Sequence, residues 1–385
     1  MRGARAAHDD AERPHMSDTR TTGGDPSPEN ARRRFRTIAI GAVRFVVAGA
    51  LLAYLIASAW QSDQFAVLTR GSIRWERFAL GCLLTLGAML LTFERWHRLA
   101  QQLGLPLRRR EAFRLGFVGF VLNFVTVGTV GGDALRAVFV AARSPGKRTA
   151  AVASVLYDRI VGLVALFLVA ASALWSLDLR AIAGDDPLRR TALLACRDLA
   201  TALGSVGAIG LVLLSVWSGA PQLRLWNPLI RLPIVGPRIG MLLRAAFAYS
   251  GRPAALGLAL GISVPVHLIN ALAVVAVASS LPIERPSVLV HLGTVPIAHL
   301  AGVLPLPGGI GAFEGVLGWL YEAAAETPEA GEHGLLVAFG VRLTTLFVAA
   351  IGIVIQLVER RRGAGVAREI GATAPAASNA SEPPV

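Results

Sequence analysis

Charged side chains sit at a few positions in stretches that are otherwise apolar. Asp133 and Arg136 lie in VGTVGGDALR at residues 127 to 136, Asp158 and Arg159 in ASVLYDRIVGL, Glu314 in PLPGGIGAFEG at 305 to 315, and Arg342 in FGVRLTTLF. Guanidinium groups match the geometry of phosphate and carboxylate oxygens, so three arginines among few carboxylates favour an anionic ligand. Neighbouring helical positions such as Asp158 and Arg159 point apart, and each needs a partner from another segment. The expected pairing sets Glu314 against Arg159 or Arg342 and Asp158 against Arg136, with Asp133 as a helix cap.

Gly131 and Gly132 precede the first acid, and Gly308 and Gly309 the second. They permit tight turns and leave N–H groups at a positive helix end, where phosphate or carboxylate binds. The plainer reading makes them turn formers only. Asn123 joins the candidate ligands of the first break. His267, Asn270, His291 and His299 read as interhelical hydrogen-bonding groups, and Glu94 with Arg95 as a solvated span end.

Other chemistries lack their residues. GGIGAF does not complete a phosphate-binding loop, HExxH and GxSxG are absent, and Cys82 and Cys196 have no metal-site spacing. No metal, no cofactor and no catalytic residue is expected. Asp185 and Asp186, or Asp133, are the carboxylates left for a metal-dependent glycosyl- or phosphotransferase.

The elements that must position these groups are membrane helices. The chain has 385 residues, 54% hydrophobic and 16% charged, with mean hydropathy +0.56. Apolar segments at 38–60, 78–96, 150–175, 199–217, 254–279 and 334–357 each approach the roughly 20 residues a helix needs to cross. The net charge of +13 comes from arginines beside these segments, which are topology and lipid-contact signals rather than a nucleic-acid surface.

Arg32, Arg33, Arg34 and Arg36 place the N-terminus inside, and Arg360, Arg361 and Arg362 place the C-terminus there too. Basic residues on both sides of 112–142 then make that segment a re-entrant hairpin, as 287–323 is from the opposite side; two full spans with a local charge violation are the alternative. The fold class is all-α: a polytopic membrane protein with about six full spans and two re-entrant helical hairpins in an inverted repeat. Its copies are 78–96, 112–142, 150–175 and 254–279, 287–323, 334–357. Residues 1–31 and 363–385 read as disordered cytoplasmic tails around a membrane domain at 32–362. Residues 238–249 read either as an amphipathic surface helix or as a loop.

The stretches NFVTVGTVGGDALRAVFVAAR, ASVLYDRIVGL, LPLPGGIGAFEGVLGWLY and the arginine of FGVRLTTLF resemble the transmembrane region of lysylphosphatidylglycerol synthases. The similarity runs from about 38 to 360. It implies lipid movement between leaflets of the inner membrane. No stretch of this sequence is expected to supply the aminoacyl-transferase activity of full-length synthases. VGTVGG departs from relatives that carry a proline in the first break.

The sequence thus predicts a flippase-like protein handling an anionic, phospho- or polyprenyl-phosphate-type headgroup. Membrane lipids are the expected partners, with a separately encoded lipid-modifying enzyme and no nucleic acid. A transferase and a non-transporting scaffold for such an enzyme are the alternatives.

Overall fold

The structure, a computed structural model, describes residues 28–62, 64–126, 130–216, 240, 247–302, 304 and 306–361. The tip of the first break at 127–129, most of the basic segment 224–251 and the tail from 363 lie outside the described residues, as does the N-terminal region up to residue 27. Contacts divide the chain into Met1–Ala42 and Val43–Val385. In the first unit the described residues, 28–42, are helical, including four residues of the expected tail.

The described elements are helical: α1 (Pro28–Gln61), α2 (Trp75–Gln102), α3 (Arg109–Val125), α4 (Val130–Ala142), α5 (Arg148–Trp175), α6 (Pro187–Val216), α7 (Pro253–Ala278), α8 (Val288–Ala301), α9 (Ala312–Ala324) and α10 (Gly334–Arg361), with short helical turns between some of them. Five helices, α2, α5, α6, α7 and α10, are long and apolar enough to cross a membrane, and α1 adds a shorter apolar stretch, Val46–Gln61. Large apolar side chains lie on the outside: Val206 is 71% exposed and Leu83 63%. Water would not tolerate such a surface, but lipid solvates it.

The helices α3, α4, α8 and α9 have 17, 13, 14 and 13 residues, short of the roughly 20 needed to cross alone. They are paired as hairpins. Arg143, just past α4, donates to Glu111 in the first turn of α3 at 2.5 Å, so both ends of the first hairpin lie at one level. The second closes the same way: Tyr321 of α9 meets His291 of α8 at 2.5 Å, and the Ser287 N–H donates to Glu326 at 3.2 Å.

The repeat is visible in the packing. Exchanging α2, α3, α4 and α5 for α7, α8, α9 and α10 maps the contacts among these eight helices onto one another: α5 on α8 becomes α10 on α3, and α4 on α5 becomes α9 on α10. The counterparts α2 and α7 run antiparallel. Arg74 N–H donates to Ser280 O at 2.8 Å, while Arg95, near the other end of α2, donates to Ser263 at 2.7 Å. Antiparallel counterparts require a two-fold axis perpendicular to the helices, the relation of an inverted repeat. Each copy has its own core, one around Trp96, Leu115, Phe139 and Val155, the other around Val277, Val295, Leu317 and Val337.

Candidate functional site

The first break presents a returning helix whose opening turn carries Asp133. Both oxygens of that carboxylate accept from Arg159 of α5, from Nε at 2.8 Å and Nη2 at 2.6 Å. The same oxygen lies 3.8 Å from Nη1 of Arg136, one turn further along α4. Arg136 is 5% exposed and packs over the rings of Phe93 and Trp96 of α2. The N–H of Gly132 donates to Asn123 Oδ1 at 2.9 Å, so α3 caps its own partner helix. Gly132 has no room for a side chain: a Cβ would lie 2.4 Å from Gly119 O.

The second break repeats this arrangement with other residues. Glu314, fully buried, accepts from Arg342 Nε of α10 at 2.5 Å and from the Gly311 N–H at 2.8 Å. One carboxylate both caps α9 and binds the arginine of the following span. Gly309 and Gly311 have φ of 64° and 85°, a region glycine enters without steric cost. The 3-10 turn Pro307–Gly309 and those angles set α9 in place.

A third buried pair joins the two copies. Asp158, 1% exposed, accepts from Arg95 Nε at 2.7 Å, and Arg95 Nη1 donates to Ser263 of α7. One turn above, His267 of α7 bonds the Gly162 carbonyl of α5 at 2.9 Å. With donors and acceptors on α2, α5 and α7, the cluster fixes these helices relative to one another. Isolated charges at this depth would be costly, roughly 2.5–3.5 kcal/mol each on insertion scales.

Several sequence expectations change. Glu314 is held by Arg342, one of its two expected partners. Asp158 is held by Arg95 and not by Arg136, because Arg95 sits two turns inside the end of α2 and is 4% exposed. Its neighbour Glu94 takes the boundary role instead, pairing with Arg98 and Arg109. Asp133 clamps Arg159 rather than capping α4; Asn123 is the cap. Of the N–H groups expected to be free, that of Gly132 is taken by Asn123 and that of Gly309 by the Leu306 carbonyl, and Gly131 lies in the α4 opening turn beside Thr126. Gly308 belongs to the 3-10 turn.

Asp186, a carboxylate of the transferase alternative, accepts from the Leu188 and Arg189 N–H groups at 2.9 and 3.1 Å, the geometry of a helix cap for α6. Among the described residues no three His, Cys, Asp or Glu side chains gather as a metal site. Arg189 itself donates to the carbonyls of Ala323 and Ala325 at the end of α9, tying the second hairpin to α6.

An apolar cleft of about 360 Å3 lies between α5, α7 and α8, lined by Leu168, Val264, Leu268, Leu289 and Leu292 together with Ser172 and Ser176. Both serine hydroxyls bond back to their own helix, so the lining offers no free donor at those positions.

A helical bundle of spans and hairpins, with ion pairs at its two helix breaks, defines a polytopic membrane protein. The model of the lysylphosphatidylglycerol synthase transmembrane region matches residues 41–352, and the chain belongs to that family. Membership relates it to the handling of membrane lipids. A search of curated proteins finds no match.

Proposed function

We propose that this protein is a lipid translocase of the inner membrane, moving an anionic headgroup along the polar seam between the repeats while the hydrocarbon chains stay in lipid. The observation that carries this reading is the recurrence of one device at both helix breaks. An acid in the first turn of a returning half-helix, Asp133 or Glu314, binds the arginine of the next span, Arg159 or Arg342. Breaks of this kind in two inverted copies are the setting of transport sites. Arg136, Arg159 and Arg342 supply the positive path, Asp158 and Glu314 organise it, and the cleft along α5 suits an acyl or prenyl chain. Both termini face the cytoplasm, and a separately encoded enzyme supplies the modified lipid.

Reconstitution into vesicles with a panel of labelled lipids tests the reading. Movement of at least one phosphate-bearing lipid is expected, with loss in folded Arg159→Gln and Arg342→Gln variants. If these variants move every lipid as fast as the unaltered chain, the reading fails.

A further inference from the structure

The two breaks share their acid and the arginine of the following span, and they differ at Arg136. With the two returning helices aligned at their acids, Asp133 on Glu314, position 136 corresponds to position 317. Leu317 is fully buried in the core of the second copy. This fold therefore accepts leucine where the first copy places Arg136. The guanidinium there is expensive: it is 5% exposed, and its Nε has no hydrogen-bond partner among the described residues. The nearest carboxylate oxygen, on Asp133, lies 3.8 Å away and is already engaged by Arg159. Two guanidinia thus share one carboxylate, a net charge of +1, while Arg342 and Glu314 balance. The first break is also the more open, the Arg159 side chain being 37% exposed against 17% for Arg342 and 0% for Glu314.

Resting on the translocase reading, we infer that the resting anion site lies at the first break alone and takes a singly charged phosphodiester between Arg136 and Arg159. Asp133 holds the two guanidinia while no headgroup is present and yields them when one arrives. One phosphodiester charge neutralises the excess. A phosphomonoester or diphosphate brings further negative charge to a depth where unpaired charge is costly. The balanced second break holds no headgroup at rest; Arg342 is met only during passage.

Binding of dihexanoylphosphatidylglycerol to the purified full chain, by calorimetry and thermal shift, tests this, with geranyl diphosphate as the more highly charged probe. Arg136→Leu, a residue the equivalent position already carries, is expected to weaken phosphatidylglycerol binding about tenfold or more, as loss of a charge-assisted contact does. Asp133→Asn is expected to tighten it by removing the competing carboxylate, and Arg342→Gln to lose transport while retaining affinity. The inference is overturned if Arg136→Leu binds like the unaltered chain, if Arg342→Gln weakens binding as much, or if the diphosphate binds more tightly. Transport by a chain whose Arg136→Leu variant still binds normally would defeat this site alone. Binding lost in Arg136→Leu without transport of any lipid would defeat the translocase reading and leave the site standing.

Discussion

Arg95 and Asp158 show what a charge inside a bundle requires. Each is more than nine-tenths buried and their contact is 2.7 Å. Removing one partner of such a pair leaves the other uncompensated, at a cost of about 3–5 kcal/mol, whereas replacing both with apolar residues is often neutral. Arg95→Met is therefore expected to destabilise the protein by about that amount, and the added change Asp158→Leu to recover most of it, as read from unfolding in mixed micelles. Sequence displayed the residues but not the pairing. Glu94, Arg95 and Arg98 together look like a wet helix end, and only the position of α5 against α2 separates the buried member from the solvated two. Glu314 with Arg342 was one of the two pairings the sequence offered, whereas Asp133 with Arg159 was not among them, because an acid beside Gly131 and Gly132 reads as a helix cap.

At the level of the element, each returning helix depends on its first turn. Asn123 belongs to a different helix from the one it caps, so its effect reports hairpin closure as well as helix formation. Asn123→Ala is expected to cost about 1 kcal/mol. Gly132→Ala should cost more, because its Cβ meets the backbone of Gly119 rather than a movable side chain; the comparison of the two melting midpoints checks this. The other hairpin has an acid-sensitive mouth. Burial raises the pKa of Glu326, but hydrogen bonds from Ser287 outweigh it and hold the carboxyl below its ordinary 4.5. A depressed carboxylate stabilises above the unfolded value and loses that contribution as pH falls through the folded one. Stability should therefore decline below about pH 4.5 less steeply in Glu326→Gln. Glycines marked both breaks in the sequence, and prolines the second one only. The N–H that Asn123 takes was hidden, since it reaches Gly132 nine residues on only once the hairpin has turned, whereas Glu314 takes the Gly311 N–H three residues back at the start of its own helix.

For the whole molecule, the inverted relation predicts sidedness. Lys147, after the first hairpin, and Glu326, after the second, are both exposed and should lie on opposite faces. In a chain whose native cysteines are replaced, Lys147→Cys and Glu326→Cys are expected to react with an impermeant thiol reagent from opposite sides of oriented vesicles; labelling from one side would contradict the inverted arrangement. Charge bias located the hairpins in the sequence, and the lengths of α3, α4, α8 and α9 agree with it. The repeat itself was legible from the order of span, hairpin and arginine-bearing span, but which helix packs on which was not, because the copies share little beyond glycine, an acid and an arginine. The cluster around Arg95 also bears on how the protein is made. Arg95 leaves the ribosome 63 residues ahead of Asp158 and 168 ahead of Ser263. Until α5 and then α7 have emerged, α2 holds a cation that its final position forbids it to expose to lipid. Nascent α2 is therefore expected to linger at the insertion machinery or beside water, and the first copy to become fully seated only when the second begins to enter.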